Sequence, residues 1–280
     1  MKLSCLPVSF YSDIIAGRMS LGAWARMGVE LGLDAIDVSI LFFPDRSSQA
    51  LARARRAVEE EGMSLCMMST YPNYTHPDPA QRAREIDMAR ETVDVAAALG
   101  LRYVRAIAGQ AHPETGREEG IAWAVEGLRK TVEHARGSGV EVVYENHDQA
   151  GVMQYIDFSA PQDIFLEIVA ATADFDLGVN YDTGNAVALT PDALALLEQV
   201  IDRVCTLHAS DTSAVGEHIT PCVIGQGLVP FRALFARLQQ AGWDGWMSIE
   251  EASGQGRAAV EYAVRHVRQA WEEAGEGWSI

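Results

Sequence analysis

No stretch of this 280-residue chain runs apolar for the roughly 18 residues that a membrane-spanning helix needs. The opening residues, MKLSCLPVSF, carry one lysine and no long apolar segment ahead of a small-residue cleavage site, so nothing there reads as an export leader. Cysteine is scarce, four residues with none in a CxxC pair. Cys5, Cys66 and Cys205 fall inside β-rich runs and Cys222 in a loop, the pattern of small buried hydrophobes rather than of a disulfide framework. These absences give the expectation of a soluble, cytoplasmic protein. Positive charge is also short: 22 Lys+Arg against 39 Asp+Glu leave a formal charge of −17. That argues against nucleic acid or an anionic membrane as partner, since both need a basic surface to exchange for counterions. No linker, low-complexity tract or composition shift divides the chain, and 48% hydrophobic content is enough for one large core, so residues 1–280 are expected to form a single domain.

What is present is a regular alternation of short β-rich runs and longer helical patterns. Leu3–Ser9 reads as the first strand. Ser20 is placed to cap a helix whose Leu21, Trp24, Met27 and Leu31 recur at helical spacing until Gly32. Strands follow at Ala35–Ile40, Ser64–Ser69 and Tyr103–Ala108, separated by a helix opening at Ser47 or Ser48 and another over Ala80–Leu99. The loop Thr70–Pro79 is rich in Pro and Asn. A helix over Glu118–Ala135 precedes the fifth strand, Val142–Gln149, and Pro161 suits the first turn of the next helix because its missing N–H costs nothing there. Strands at Leu177–Asn185, Val204–Asp211 and Trp246–Glu251 are followed by helices near Pro191–Val200, Pro230–Ala241 and Arg257–Glu273. Eight strand-then-helix units predict a closed (β/α)₈ barrel. An open doubly wound sheet would want a GxGxxG turn after the first strand, and none follows Leu3–Ser9.

The later strands end in a way that an apolar strand does not need. VVYENHDQ closes on Glu145, Asn146, His147 and Asp148, LGVNYDTGN leads to Asp182, VCTLHASD to His208 and WMSIEE to Glu250. The C-terminal ends of barrel strands are where such a fold carries its chemistry. Three carboxylates and an imidazole converging there would repel or share protons without a cation, so Glu145, Asp182, His208 and Glu250 are expected to hold one divalent metal. Oxygen-rich donors with one nitrogen suit Mn²⁺, with Mg²⁺, Co²⁺ or Zn²⁺ as alternatives.

The order YENH, NYDTGN, LHASD, VIGQGLVPF and GWDGWMSIEE resembles the sugar phosphate isomerase/epimerase family, the xylose isomerase-like barrels that include ketose 3-epimerases, hydroxypyruvate isomerase and inosose dehydratase. The resemblance implies a metal held by the same four residues, and in the epimerase branch the matching Glu145 and Glu250 also act as the acid/base pair. Removal of a proton α to a carbonyl needs the developing enediolate stabilised by the metal, with one carboxylate on each face of the substrate. A homo-oligomer is also implied, although no segment specifies an interface.

Other residues take supporting roles in this reading. His147, Asn146 and Asn185 are candidates to bind substrate hydroxyls, and Asp211 to orient His208. Trp24 is expected in the core, while Phe43, Tyr71 and Tyr74 are candidates for an apolar wall. His76 and His112 read as surface residues, and Glu251 as pointing away from the site. Asn185 stands where the ketose 3-epimerase and endonuclease IV-like branches place a histidine, which argues against a trinuclear zinc nuclease. The late loops hold no Arg or Lys at strand ends, which argues against a phosphorylated substrate. The expected activity is metal-dependent isomerisation or epimerisation of an unphosphorylated ketose or keto-sugar. The alternatives are a lyase or dehydratase on a keto-sugar, keto-inositol or 3-keto-glycoside, and a non-catalytic sugar-binding barrel.

Overall fold

The computed structural model describes residues 1–190, 192–216 and 218–276. Eight parallel strands stand in the order β1-β8-β7-β6-β5-β4-β3-β2. They are β1 (Lys2–Leu6), β2 (Ile36–Ser39), β3 (Leu65–Ser69), β4 (Tyr103–Ala106), β5 (Glu141–Glu145), β6 (Gly178–Asp182), β7 (Val204–Ala209) and β8 (Trp246–Glu250). The helices between and after them are α1 (Leu21–Glu30), α2 (Ser48–Glu59), α3 (Pro79–Leu99), α4 (Arg117–Ala135), α5 (Gln162–Ala171), α6 (Ala193–Val200), α7 (Phe231–Gln240) and α8 (Arg257–Gly275). The last strand returns to the first, from Lys2↔Trp246 to Leu6↔Glu250. The seam between β1 and β2 is joined through two aspartates: Leu3 N–H donates to Asp34 Oδ2 at 2.8 Å, and Ser4 Oγ donates to Asp37 Oδ2 at 2.9 Å. The result is a nearly closed (β/α)₈ barrel. Among the described residues no helix is long and apolar enough to cross a membrane.

Local chemistry fixes the helix ends. Ser20 accepts from Ala23 N–H at 3.1 Å and Ser47 from Ala50 N–H at 3.3 Å, each satisfying a first-turn donor that the helix itself leaves unpaired. Asp78 caps α3 ahead of Pro79, and Gly100 ends it at φ +76°, a backbone conformation that costs glycine nothing. The helix start expected at Pro191, and the end of the loop Thr212–Glu217, fall on residues outside those described; α6 is capped by Asp192.

Alternation along the strands divides the barrel into a sleeve and a lining. Outward residues such as Leu3, Val104, Tyr144, Tyr181, Leu207 and Ile249 join the helices in one apolar core. Each fully buried aliphatic or Phe side chain there contributes roughly 1.5–3 kcal/mol. Facing inward near the strand starts, Cys66, Met67, Tyr103 and Val143 form a separate apolar plug, with Cys205 and Trp246 against it. Above the plug the lining turns polar: Ser4, Asp37, Arg105, Asn180, Thr206 and Ser248 are all buried. A buried polar layer of this kind lowers stability unless each member finds a partner.

Every strand except β3 stops earlier than the sequence suggests: β1 ends at Leu6 rather than Ser9, β2 at Ser39 rather than Ile40, β4 at Ala106 rather than Ala108 and β8 at Glu250 rather than Glu251. β5 ends at Glu145 rather than Gln149, and β7 at Ala209 rather than Asp211. β6 ends at Asp182 rather than Asn185, because the Asp182 carboxylate caps a short helix, Thr183–Leu189, by accepting from Asn185 N–H at 2.7 Å. Asn185 therefore belongs to a helix, not to a strand end.

Candidate active site

Glu145, Asp182 and Glu250 are the last residues of β5, β6 and β8, and His208 is one residue short of the end of β7. The register sets Asp182 beside His208 and His208 beside Ser248, so four neighbouring strands deliver their polar ends to one level of the barrel. Glu145, Asp182 and His208 each offer a ligand atom within 4.8 Å of the others. Glu250 approaches from β8, its Oε2 2.7 Å from His208 Nδ1, while Glu145 Oε2 lies 2.9 Å from the same nitrogen.

Neither contact to His208 has the direction of a hydrogen bond. Both His208 ring nitrogens and Glu250 Oε2 are buried with no hydrogen-bond partner among the described residues. Orphaned buried polar atoms are rare enough to need an explanation, and here they belong to one cluster of ligand-type side chains. Three carboxylates face one guanidinium, Arg105, whose Nε is 3.2 Å from Glu145 Oε2. A divalent cation fits this donor set: it would take one His208 ring nitrogen and Glu250 Oε2 as ligands beside Glu145 and Asp182, and would balance the remaining charge.

The charges are strongly unequal in their surroundings. Burial pushes the Glu145 carboxyl up, but the Arg105 and His208 charges outweigh it and hold its pKa down at about 2. Burial, reinforced by Glu250 and Glu145, pushes Asp182 well above the usual carboxylate range. Burial disfavours a charged His208, yet the two glutamates outweigh it and raise that imidazole well above its ordinary value. A proton on His208 and a cation in the cluster are alternative answers to the same negative field.

Neighbouring residues lock the candidate ligands in place. Asn180 Nδ2 donates to Glu145 Oε2, and Thr206 Oγ1 donates to Asn180 Oδ1 at 2.7 Å. Ser210 Oγ donates to Asp182 Oδ1 at 2.8 Å, the oxygen that also caps Asn185. Asn146, expected to meet substrate, has its amide engaged at both ends by the Asp182 backbone at 2.9 and 2.8 Å. It clamps β5 to β6. Asp211, expected behind His208, instead accepts from the N–H groups of Gly225, Gly227 and Val229 and so ties down the loop after β7.

A cavity of about 210 Å³ opens over the cluster. Arg105, His147, Asp182, Asn185 and Glu250 line it, with Tyr11 and Tyr71 on one side and Asp148 and Ile219 on another. Arg105 is the one Arg or Lys among these lining residues, and it is already paired. Glu145 lies beneath, 1% exposed, and does not line the cavity; Glu250 is 22% exposed and does. Of the aromatic wall, Tyr71 faces the cavity, while Phe43 and Tyr74 are in the core, Tyr74 with its hydroxyl 2.8 Å from Thr131 Oγ1. Trp24 is fully buried, with its ring N–H directed at Asp37 O. His76 and His112 meet edge to face, ring centroids 4.6 Å apart, and neither lines this cavity. Glu251 is buried and accepts from Ser9 Oγ outside the cavity.

Sequence reasoning missed Arg105, Asn180, Asp37 and Asp157. The first three had a signal: one charged or amide residue at an inward position of an otherwise apolar strand. Asp157 sits in a loop, where only the Asp-x-Ser spacing of an Asx turn marked it.

The family profile described as xylose isomerase-like TIM barrel matches residues 26–272. Inosose dehydratase of Lacticaseibacillus casei is 24% identical over 155 residues, 50% of this chain and 50% of that protein. The chain spans about half the length of the inosose dehydratases it matches. L-ribulose-5-phosphate 3-epimerase UlaE of Salmonella paratyphi C (strain RKS4594) is 25% identical over 259 residues, 88% of this chain and 87% of that protein. Among solved structures, a D-tagatose 3-epimerase-like protein superposes with a TM-score of 0.79 at 17% identity over 99% of both chains. The IolI protein, solved with a zinc atom, gives 0.76 at 17% identity over 100% of both. At these identities the structural likeness is one of fold.

Proposed function

The chain belongs to the xylose isomerase-like TIM barrel family, and from that premise we propose that it is a cytoplasmic metal-dependent isomerase or epimerase of an unphosphorylated ketose or keto-sugar. The observation that carries this reading is the convergence of Glu145 and Glu250 on one imidazole nitrogen from two strands, beside Asp182 and beneath a small polar cavity. A divalent cation held by Glu145, Asp182, His208 and Glu250, Mn²⁺ by its donor preference, would supply Lewis-acid polarisation of a substrate carbonyl and its neighbouring hydroxyl.

The chain's own residues do the rest. Glu145, ionised beside Arg105, takes the proton α to the carbonyl, and Glu250, open to the cavity, returns one drawn from solvent on the opposite face. His147 and Asn185, both on the cavity wall, bind substrate hydroxyls. A pocket of this size, below the roughly 300–1,000 Å³ typical of drug-sized ligands, suits a monosaccharide. UlaE is named for a phosphorylated sugar. Among the described residues the one Arg or Lys on the lining, Arg105, is committed to Glu145, which favours a substrate without phosphate.

One observation favours a second reading, a lyase or dehydratase. Glu145 lies under the lining whereas Glu250 and His147 are on it, and elimination needs one base and one acid for the leaving group rather than two opposed bases. Incubation with ketoses, inososes and 3-keto-glycosides in D₂O separates the two. Deuterium at the α carbon with inverted configuration supports epimerisation, and loss of water or aglycone supports the lyase. Neither event, with sugar bound, leaves a binding protein and overturns both.

A further inference from the structure

Asp157 lies outside the ligand cluster, in the loop after β5, yet it is fully buried and one of its oxygens is unused. The loop is pinned on both sides: Asp157 N–H donates to Asp148 O at 2.7 Å, and Phe158 N–H donates to Gly109 O at 2.8 Å across an antiparallel bridge with the loop after β4. Within this frame Asp157 Oδ1 accepts from Ser159 N–H at 2.7 Å and from Ser159 Oγ at 2.6 Å. Oδ2 is left facing His147 Nδ1 at 3.8 Å. Both of those atoms are buried, and neither has another partner among the described residues. The separation is beyond hydrogen-bond length, but such bonds are often long before substrate binds and tighten in the complex.

We propose that Asp157 is a positioning residue that takes the proton-bearing Nδ1 of His147 on its Oδ2, so that Nε2 is the bare nitrogen this ring offers to the cavity. The proposal rests on the reading of His147 as a substrate-facing residue. At alkaline pH an imidazole is neutral, so the ring has a single proton to place. A carboxylate offers only acceptors and therefore selects the Nδ1–H form. Asp157→Asn reverses this selection. Ser159 holds Oδ1 with two donors, so the substituted amide must keep its oxygen there and turn its NH₂ toward His147, which then has to accept at Nδ1 and carry its proton on Nε2.

The test is the ring tautomer, read by long-range ¹⁵N–¹H correlation on protein loaded with diamagnetic Mg²⁺ or Zn²⁺. The pH is set alkaline, above the value of about 7 to which burial raises Asp157, and the His147 signals are identified by their loss in His147→Gln. The expected result is Nδ1–H in the wild type and Nε2–H in Asp157→Asn, with metal content unchanged and kcat reduced by about 10²-fold or more. Nε2–H in the wild type overturns the proposal, as does an unchanged tautomer in the variant. If the variant does not fold, the wild-type spectrum alone decides. Nδ1–H in a wild type that turns over no keto-sugar sustains this inference while the proposed function falls.

Discussion

Arg105 and Glu145 form an ion pair of 3.2 Å inside the barrel, with only 2% and 1% of their side chains exposed. Arg105 comes from the inward face of β4 and is held on its far side by Thr70 O at 2.9 Å. The pair explains how a glutamate can stay ionised where desolvation alone would protonate it.

Arg105→Gln should therefore leave the Glu145 carboxylate buried without its cation. A loss of about 3–5 kcal/mol in unfolding free energy is expected in metal-free protein, measured by urea denaturation. A loss below about 1 kcal/mol would show that Glu145 does not depend on this partner.

Metal content tests the cluster directly. Purified protein should hold about one divalent ion per chain, and Asp182→Ala or His208→Ala should each lose most of it, because each removes a ligand atom from the group within 4.8 Å. Elemental analysis showing equal metal in the wild type and both variants would reject the site.

The contrast between these residues shows what the sequence could carry. The eight-unit alternation is legible because strands buried on both faces read as apolar runs, punctuated by caps such as Ser20, Ser47 and Gly100. Glu145, Asp182, His208 and Glu250 are legible because each breaks such a run at its end. Asn146 and Asp211 looked equally ligand-like, but their partners are backbone groups of Asp182 and of residues 225–229, and pairing across the fold has no signature in the chain order. Arg105 and Asn180 were hidden for the opposite reason. They sit mid-strand, where a polar residue matters only once the barrel has closed around it.

Asp157 gives a pH signature in stability. Its folded pKa, raised by burial to about 7, lies above the ordinary aspartate value of 3.8. The folded state therefore binds the proton more tightly, so the associated stability is full below about pH 4 and is lost as pH rises through about 7. Asp157→Asn lacks this dependence. Its stability relative to wild type should rise across that window, by on the order of 4 kcal/mol, and be level on either side. Urea unfolding at a series of pH values measures it, and a constant difference would mean that Asp157 titrates normally.

The last expectation separates ligand from acid/base within the glutamates. Glu145→Gln and Glu250→Gln each retain a carbonyl oxygen for the cation, but neither amide takes up or delivers a proton at neutral pH. The two positions are not equivalent: Glu250 is open to the cavity, whereas Glu145 is held beneath it by Arg105 and Asn180. If both act, on opposite faces, either substitution abolishes net epimerisation while the surviving glutamate still exchanges the proton it faces, so each variant exchanges one epimer with D₂O. If Glu145 is a ligand alone, Glu145→Gln keeps turnover as long as metal stays bound, Glu250→Gln loses it, and the acid for a leaving group must come from elsewhere on the wall, where His147 stands. Solvent deuterium exchange on both variants, read with metal content, decides between a two-base epimerase and a one-base lyase.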